Sequence, residues 1–172
     1  MLYGRRHQGL VRGRLLSLQL AGFLLVAVGC NGSQKSDAWM RQHLAEHRAD
    51  FERLVRMANE DYDRTQVIRI AYDFTRTEST WAWPRPQSEW GLTNDRWEEY
   101  RTLFKRLSLP SGLERVGGGV QFTVYGFGMA GEGREYGFLW RETPPAQIKT
   151  RREEYTTKPF DKNWYRYEWF ID

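Results

Sequence analysis

The sequence predicts an α+β fold: two helices packed on one face of an antiparallel sheet of about four strands, a two-layer sandwich. Two observations carry this. Apolar residues recur every three or four positions from Met40 to Ala58 and again from Trp97 to Leu107, the period of a helix with one buried face. Elsewhere side chains alternate with a period of two, at 67–74, 119–127, 134–142 and 163–172, the mark of half-buried strands. Breakers separate the two kinds of segment, with two prolines and a glycine in 81–92 and then Pro110 and Gly112.

Taken in order, the chain opens with Arg5, Arg6, Arg12 and Arg14 and no acidic residue, followed by an apolar run from Leu15 to Gly29. That run is short for a membrane span, which needs about 20 residues, and has the layout of a secretory signal peptide. It ends in Ala27-Val28-Gly29-Cys30, which holds the only cysteine of the chain. A lone thiol cannot form an internal disulfide. The tetrapeptide resembles the lipobox of bacterial lipoproteins, although that family prefers leucine where Ala27 stands. The resemblance implies cleavage before Cys30, a diacylglycerol on its thiol and acylation of the new amino terminus. It divides the chain into a signal peptide (1–29), a lipidated cysteine with a polar tether (30–36) and a single α+β domain (37–172). By the same resemblance, an aspartate after the cysteine would hold such a protein in the inner membrane. Asn31 stands there instead, so export to the outer membrane, facing the periplasm, is the expectation.

Removing the signal changes the charge. The whole chain has 26 basic and 22 acidic residues, and loss of the four arginines leaves 22 of each. A neutral domain lacks the electrostatic footprint of nucleic-acid binding, so no nucleic-acid partner is expected. Two acyl chains anchor stably without a basic patch, since each buried methylene contributes about 0.8 kcal/mol. The expected partner is therefore the membrane, reached through the lipid.

Within the domain, Asp37 is placed to cap a first helix whose stripe is Met40, Leu44, His47, Phe51, Leu54 and Ala58, running to about Asn59. The strand at 67–74 and the Pro-rich loop follow. Asp95 and Glu98 form a capping-box variant before a second helix with the stripe Trp97, Tyr100, Leu103, Phe104 and Leu107. The strands at 119–127 and 134–142 lie close enough to pair as a hairpin over GMAGEG, and 163–172 supplies the last strand.

Four features bear on chemistry. HLAEH, with His43, Glu46 and His47, matches the H-x-x-E-H pattern of inverted zinc peptidases, where two histidines one turn apart hold the metal and the glutamate acts as base. His47 falls in the apolar stripe, so a helix flank is the favoured reading; the metal-dependent hydrolase remains the alternative, and no cofactor is expected. GFGMAG at 126–131 reads G-x-G-x-x-G but is followed by a strand pattern, so its glycines fit a turn rather than a phosphate loop. Glu98-Glu99 and Glu153-Glu154 are adjacent and cannot share a helix face. With two histidines beyond the signal and no nucleophile-elbow serine, no triad can be built.

What remains is an excess of aromatics. The alternation points Val120, Phe122, Val124, Tyr136, Phe138 and Trp140 inward, and on the last strand Tyr165, Tyr167, Trp169 and Ile171. The other face would then carry Tyr125, Arg141, Trp164, Arg166 and Glu168, a mixture of aromatic residues and arginine favoured at binding hot spots. These five are the candidate binding residues. The expected partner is an envelope protein, with peptidoglycan or another cell-wall glycan as the alternative. The connection at 142–162 could equally fold over that face. Trp81, Trp83 and Trp90 form a second candidate patch.

Overall fold

The computed structural model describes residues 34–77, 91–129, 132–150 and 152–172. The signal peptide, Cys30 and the patch of Trp81, Trp83 and Trp90 lie outside the described residues. Among the described residues there are three helices and one antiparallel sheet of eight strands. The class is α+β, as the sequence predicts, while about four strands is too few. All described elements belong to one compact unit, Gly32–Asp172.

Helix α1 spans Asp37–Glu46 and α2 Arg48–Thr65. The first cap is Ser36, whose hydroxyl accepts from the Trp39 amide at 3.2 Å, so Asp37 sits in the first turn, where a negative charge favours the helix dipole. The single predicted helix is broken at His47, which leaves helical geometry at φ −116° and ψ 20°. The apolar stripe nevertheless continues across the break, burying Met40, Leu44, Phe51, Leu54 and Ala58. Helix α3 spans Asn94–Arg106 and is capped by Thr93, two residues before the expected Asp95, through a 3.2 Å bond from the Arg96 amide.

The strands are β1 (Val67–Ile70), β2 (Thr75–Thr77), β3 (Leu113–Val116), β4 (Gly119–Met129), β5 (Glu132–Trp140), β6 (Ile148–Lys149), β7 (Glu153–Asp161) and β8 (Trp164–Ile171). Their spatial order is β2-β1-β3-β4-β5-β8-β7-β6. Much of the 142–162 connection thus extends the sheet as β6 and β7 instead of lying across it.

The helices cover one sheet face. Phe51 meets Phe122, Phe138 and Trp164 edge-on, with centroids 5.4, 4.9 and 5.7 Å apart, geometry that adds about 0.5–1.5 kcal/mol per pair beyond burial. A buried carboxylate locks α2 to α3. Asp61 accepts from Arg64 Nη2 at 2.6 Å, Arg96 Nε at 2.7 Å and the Tyr100 hydroxyl at 2.8 Å.

The faces of β8 are the reverse of those the alternation suggests. Residues opposite one another in antiparallel strands share a face, and Trp164, Arg166 and Glu168 lie opposite Trp140, Phe138 and Tyr136. Trp164 is therefore buried in the helix-covered core, while Tyr165 and Tyr167 pack on the other face. Both faces of β8 are aromatic, so alternation alone cannot choose between them; the pairing with β5 does. A β-bulge between Thr123 and Tyr125 likewise turns Tyr125 to the helix side, where it stacks on Tyr136 at 5.4 Å.

Candidate functional site

The sheet face away from the helices has its own small apolar cluster. Leu139, Tyr165 and Tyr167 are buried there, with Val116, Tyr155 and Trp169 packed around them and no helix residue among them. Tyr155 lies flat against Tyr167, with rings 14° apart and centroids at 5.9 Å. Gly137 makes this floor possible. A Cβ at that position would lie 1.9 Å from the Phe122 carbonyl oxygen and 3.0 Å from Cε1 of Tyr167.

Above this floor runs a cleft of about 430 Å³, reaching from β1 and β2 to β7, with Pro145 and Ala146 on one wall. Its size is that of a ligand pocket. Three arginines and three glutamates line it, but they are unequally matched. Arg69 approaches Glu114 at 3.5 Å, and Arg76 also pairs with Glu114. Glu153 accepts from the Trp169 indole at 2.9 Å.

Arg141 and Glu135 stand apart from these pairs. Arg141 extends the β5 ladder by donating its backbone N–H to Asn163 O at 2.9 Å. Its stem crosses Gly119, where a Cβ would lie 2.3 Å from its Cγ. The Nε of Arg141 is buried with no hydrogen-bond partner among the described residues. Glu135 is half-buried, and burial raises its pKa above the usual glutamate value; Arg69 partly offsets this and Glu114 adds to it. Burial also pushes the Tyr155 hydroxyl up to about 12 and that of Tyr167 well above its usual value. Both phenols are neutral, not bases: Tyr155, on the cleft wall, donates to Gln121 at 3.4 Å, and Tyr167, buried beneath it, shares a 2.9 Å bond with Thr123.

The structure does not bring the five sequence-predicted binding residues together. Arg141 lines the cleft, whereas Trp164 is buried under the helices. Arg166 reaches Asp37 and, at 2.8 Å, Glu168 on the helix side. Glu168 also accepts from Arg134 at 2.9 Å and from Gln34 at 2.5 Å. Tyr125 packs at the same end of that face. Sequence reasoning missed Glu135, Tyr155 and Trp169. Glu135 stands on an alternating strand, but as a single charge on a mixed face it carries no mark of a site; Tyr155 lies on a segment with no clear alternating signal; and the alternation on the last strand points Trp169 to the covered face.

The HLAEH side chains also go separate ways. His43 stacks on Trp39 at 4.6 Å and donates its Nε2–H to Leu107 O at 3.0 Å, and burial lowers its pKa. His47 lies 4.7 Å from His43, ring to ring, while the exposed Glu46 accepts from Gln42 at 2.8 Å. Among the described residues, no group of three His, Cys, Asp or Glu side chains is placed to hold a metal ion.

Comparison of the chain with protein-family models, with curated proteins and with solved structures finds no match, so the geometry of this cleft is what speaks to its role.

Proposed function

We propose that this is an exported, lipid-anchored envelope protein that acts by binding, and that the cleft receives an extended segment of a partner protein. One observation carries the binding reading: Arg141, Glu135 and Glu153 are the charges of the cleft without an ion pair among the described residues, and of these only Glu153 already accepts a side-chain hydrogen bond, from the Trp169 indole, while Arg141 and Glu135 belong to one face of the β5 line. They lie six positions apart, about 20 Å of strand. That is too far for a single functional group and suits the two ends of an extended peptide, acidic at Arg141 and basic or amide-bearing at Glu135. Leu139, Tyr155 and Trp169 would take the apolar side chains between. The anchoring reading rests on the lipobox-like Ala27-Val28-Gly29-Cys30, and Asn31 favours the outer membrane, facing the periplasm.

A cell-wall glycan is the second reading, favoured by the placement of Trp169 directly opposite Glu135 in the β5–β8 pairing. An indole beside a carboxylate could stack on a sugar ring while accepting from its hydroxyls.

Cross-linking of the full-length protein in its native membranes, followed by analysis of captured proteins and wall fragments, tests both readings. A protein captured by the parent and lost with Arg141→Ala is the expected result. Wall fragments alone would replace the partner segment by glycan, and capture unaffected by Arg141→Ala and Glu135→Gln would remove the cleft from the proposal. Cys30→Ser should abolish lipid labelling and membrane retention; unchanged labelling would overturn the anchor.

A further inference from the structure

The end of the sheet nearest the amino terminus carries a row of side chains that the helices do not cover. Phe127, Arg134 and Phe170 lie opposite one another on β4, β5 and β8, and so share one face. Phe127 is 68% and Phe170 48% exposed, two of the three large exposed hydrophobic residues among those described. Arg134 stands between them.

The same corner receives the chain as it enters the domain. The Lys35 backbone N–H donates to the Tyr136 hydroxyl at 2.5 Å, and Gln34 Nε2 donates to Glu168, the residue paired with Arg134. Asp37 is held by Lys158 and Arg166, one residue from each of two neighbouring strands. What the sequence reads as a tether through residue 36 is thus fastened from residue 34 onward. Only four peptide units then separate Gln34 from Cys30, and four extended residues reach at most about 14 Å.

From these observations we propose that the Phe127–Arg134–Phe170 row is a membrane-contacting surface that seats the domain against the bilayer interface in one orientation. The proposal rests on the lipid anchor proposed above. An anchor within about 14 Å of Gln34 leaves this corner no distant position, and two phenylalanines flanking an arginine have the composition of an interfacial contact, with rings among the acyl chains and a guanidinium at headgroup level. Two rings would bind a membrane weakly alone. Attached to an anchored chain they act at high local concentration, so a weak contact suffices to orient the domain. Because Glu168 and Glu154 lie beside the row, attraction to anionic lipid does not drive the contact; burial of the rings does. The cleft lies on the opposite face of the sheet, so this orientation leaves it open to a partner.

The test uses the full-length, lipidated protein in vesicles of phosphatidylethanolamine and phosphatidylglycerol. The native thiol is consumed by the lipid, so an introduced cysteine is the only one free to carry an environment-sensitive fluorophore. Labels are placed at Glu154→Cys, which lies opposite Phe170 beside the row and leaves both rings intact, and at Glu142→Cys, an exposed site beyond the other end of β5. The label at 154 is expected to show blue-shifted emission and quenching by spin-labelled lipid, the label at 142 aqueous emission, and Phe127→Ser or Phe170→Ser should diminish the signal at 154. Incorporation of labelled palmitate is measured on the same preparations. Palmitate incorporation with equally aqueous emission at 154 and 142 would overturn the docking surface and leave the anchor standing. Absence of palmitate would overturn both.

Discussion

Replacing Asp61 by alanine should cost this fold about 3–5 kcal/mol. The side chain of Asp61 is 3% exposed and accepts from three donors at 2.6–2.8 Å. They do not count equally. Arg64 is 58% exposed and can turn to water, so its bond contributes at most about 1 kcal/mol. The Tyr100 hydroxyl cannot, being fully buried; Arg96 is 21% exposed and keeps Glu60 at 2.9 Å and Glu99 at 3.3 Å, so what it loses is the bond from Nε at 2.7 Å. Each bond to the buried carboxylate contributes about 1.5–3 kcal/mol, and a donor left unsatisfied in the core keeps its desolvation penalty. Tyr100→Phe should therefore cost about 1.5–3 kcal/mol, and Arg64→Ala no more than about 1 kcal/mol. Urea unfolding followed by tryptophan fluorescence measures all three. Asp61→Ala falling within about 1 kcal/mol of the parent, or Arg64→Ala costing as much as Tyr100→Phe, would refute the assignment of the energy to the buried pair of bonds.

Other variants test the cleft and the corner. Gly137→Ala places a methyl against the Phe122 carbonyl and the Tyr167 ring and should lower stability by about 1–3 kcal/mol or prevent folding, read by thermal denaturation. Glu135, with its pKa raised by burial, binds its proton more tightly in the folded state, so its ionisation weakens the fold at neutral pH and this cost disappears as pH falls through the raised value. Glu135→Gln should accordingly be more stable than the parent at pH 7 and indistinguishable from it near pH 4, by urea unfolding at each pH. Asp37 behaves oppositely: its bond from Lys158, with that from Arg166, lowers its pKa, so its stabilisation is present above the usual carboxylate value of 3.8 and is lost as pH falls through the depressed one. Asp37→Asn should cost up to about 1 kcal/mol at pH 7 and nothing below the depressed pKa, in the same assay.

The elements that could be read from the sequence are those with a one-sided pattern. Met40 to Ala58 and Trp97 to Leu107 each bury one stripe, and Val120, Phe122, Tyr136 and Phe138 each face the helices as the alternation indicates. What could not be read follows from particular residues. LERV at 113–116 is too short for a period to show. EEYTTKPFD at 153–161 carries charges and a proline, and becomes a strand by pairing along β8. On β8 itself, Trp164 and Tyr165 are both large and aromatic, and only the opposition of Trp164 to Trp140 decides which goes under the helices. The bulge before Tyr125 leaves no mark in composition. The cleft draws on the first three of these, through Glu114 and Val116, Glu153 and Tyr155, and Trp169, so Arg141 is the one lining residue among the five candidates that the sequence offers.

The narrowness of β6 has a consequence for association. It pairs with only Tyr155 and Glu154, leaving most of the nine-residue β7 at the border of the sheet. A bare border of that length would invite another strand to add to it. Here Lys158 would bring charge to any incoming chain, Pro159 offers no N–H, and Gln147 Nε2 already donates to the Thr157 carbonyl at 3.3 Å. The opposite border, β2, is three residues long. Copies held to one membrane, as proposed, are crowded into a thin layer where strand addition would be frequent, and both borders are built to refuse it.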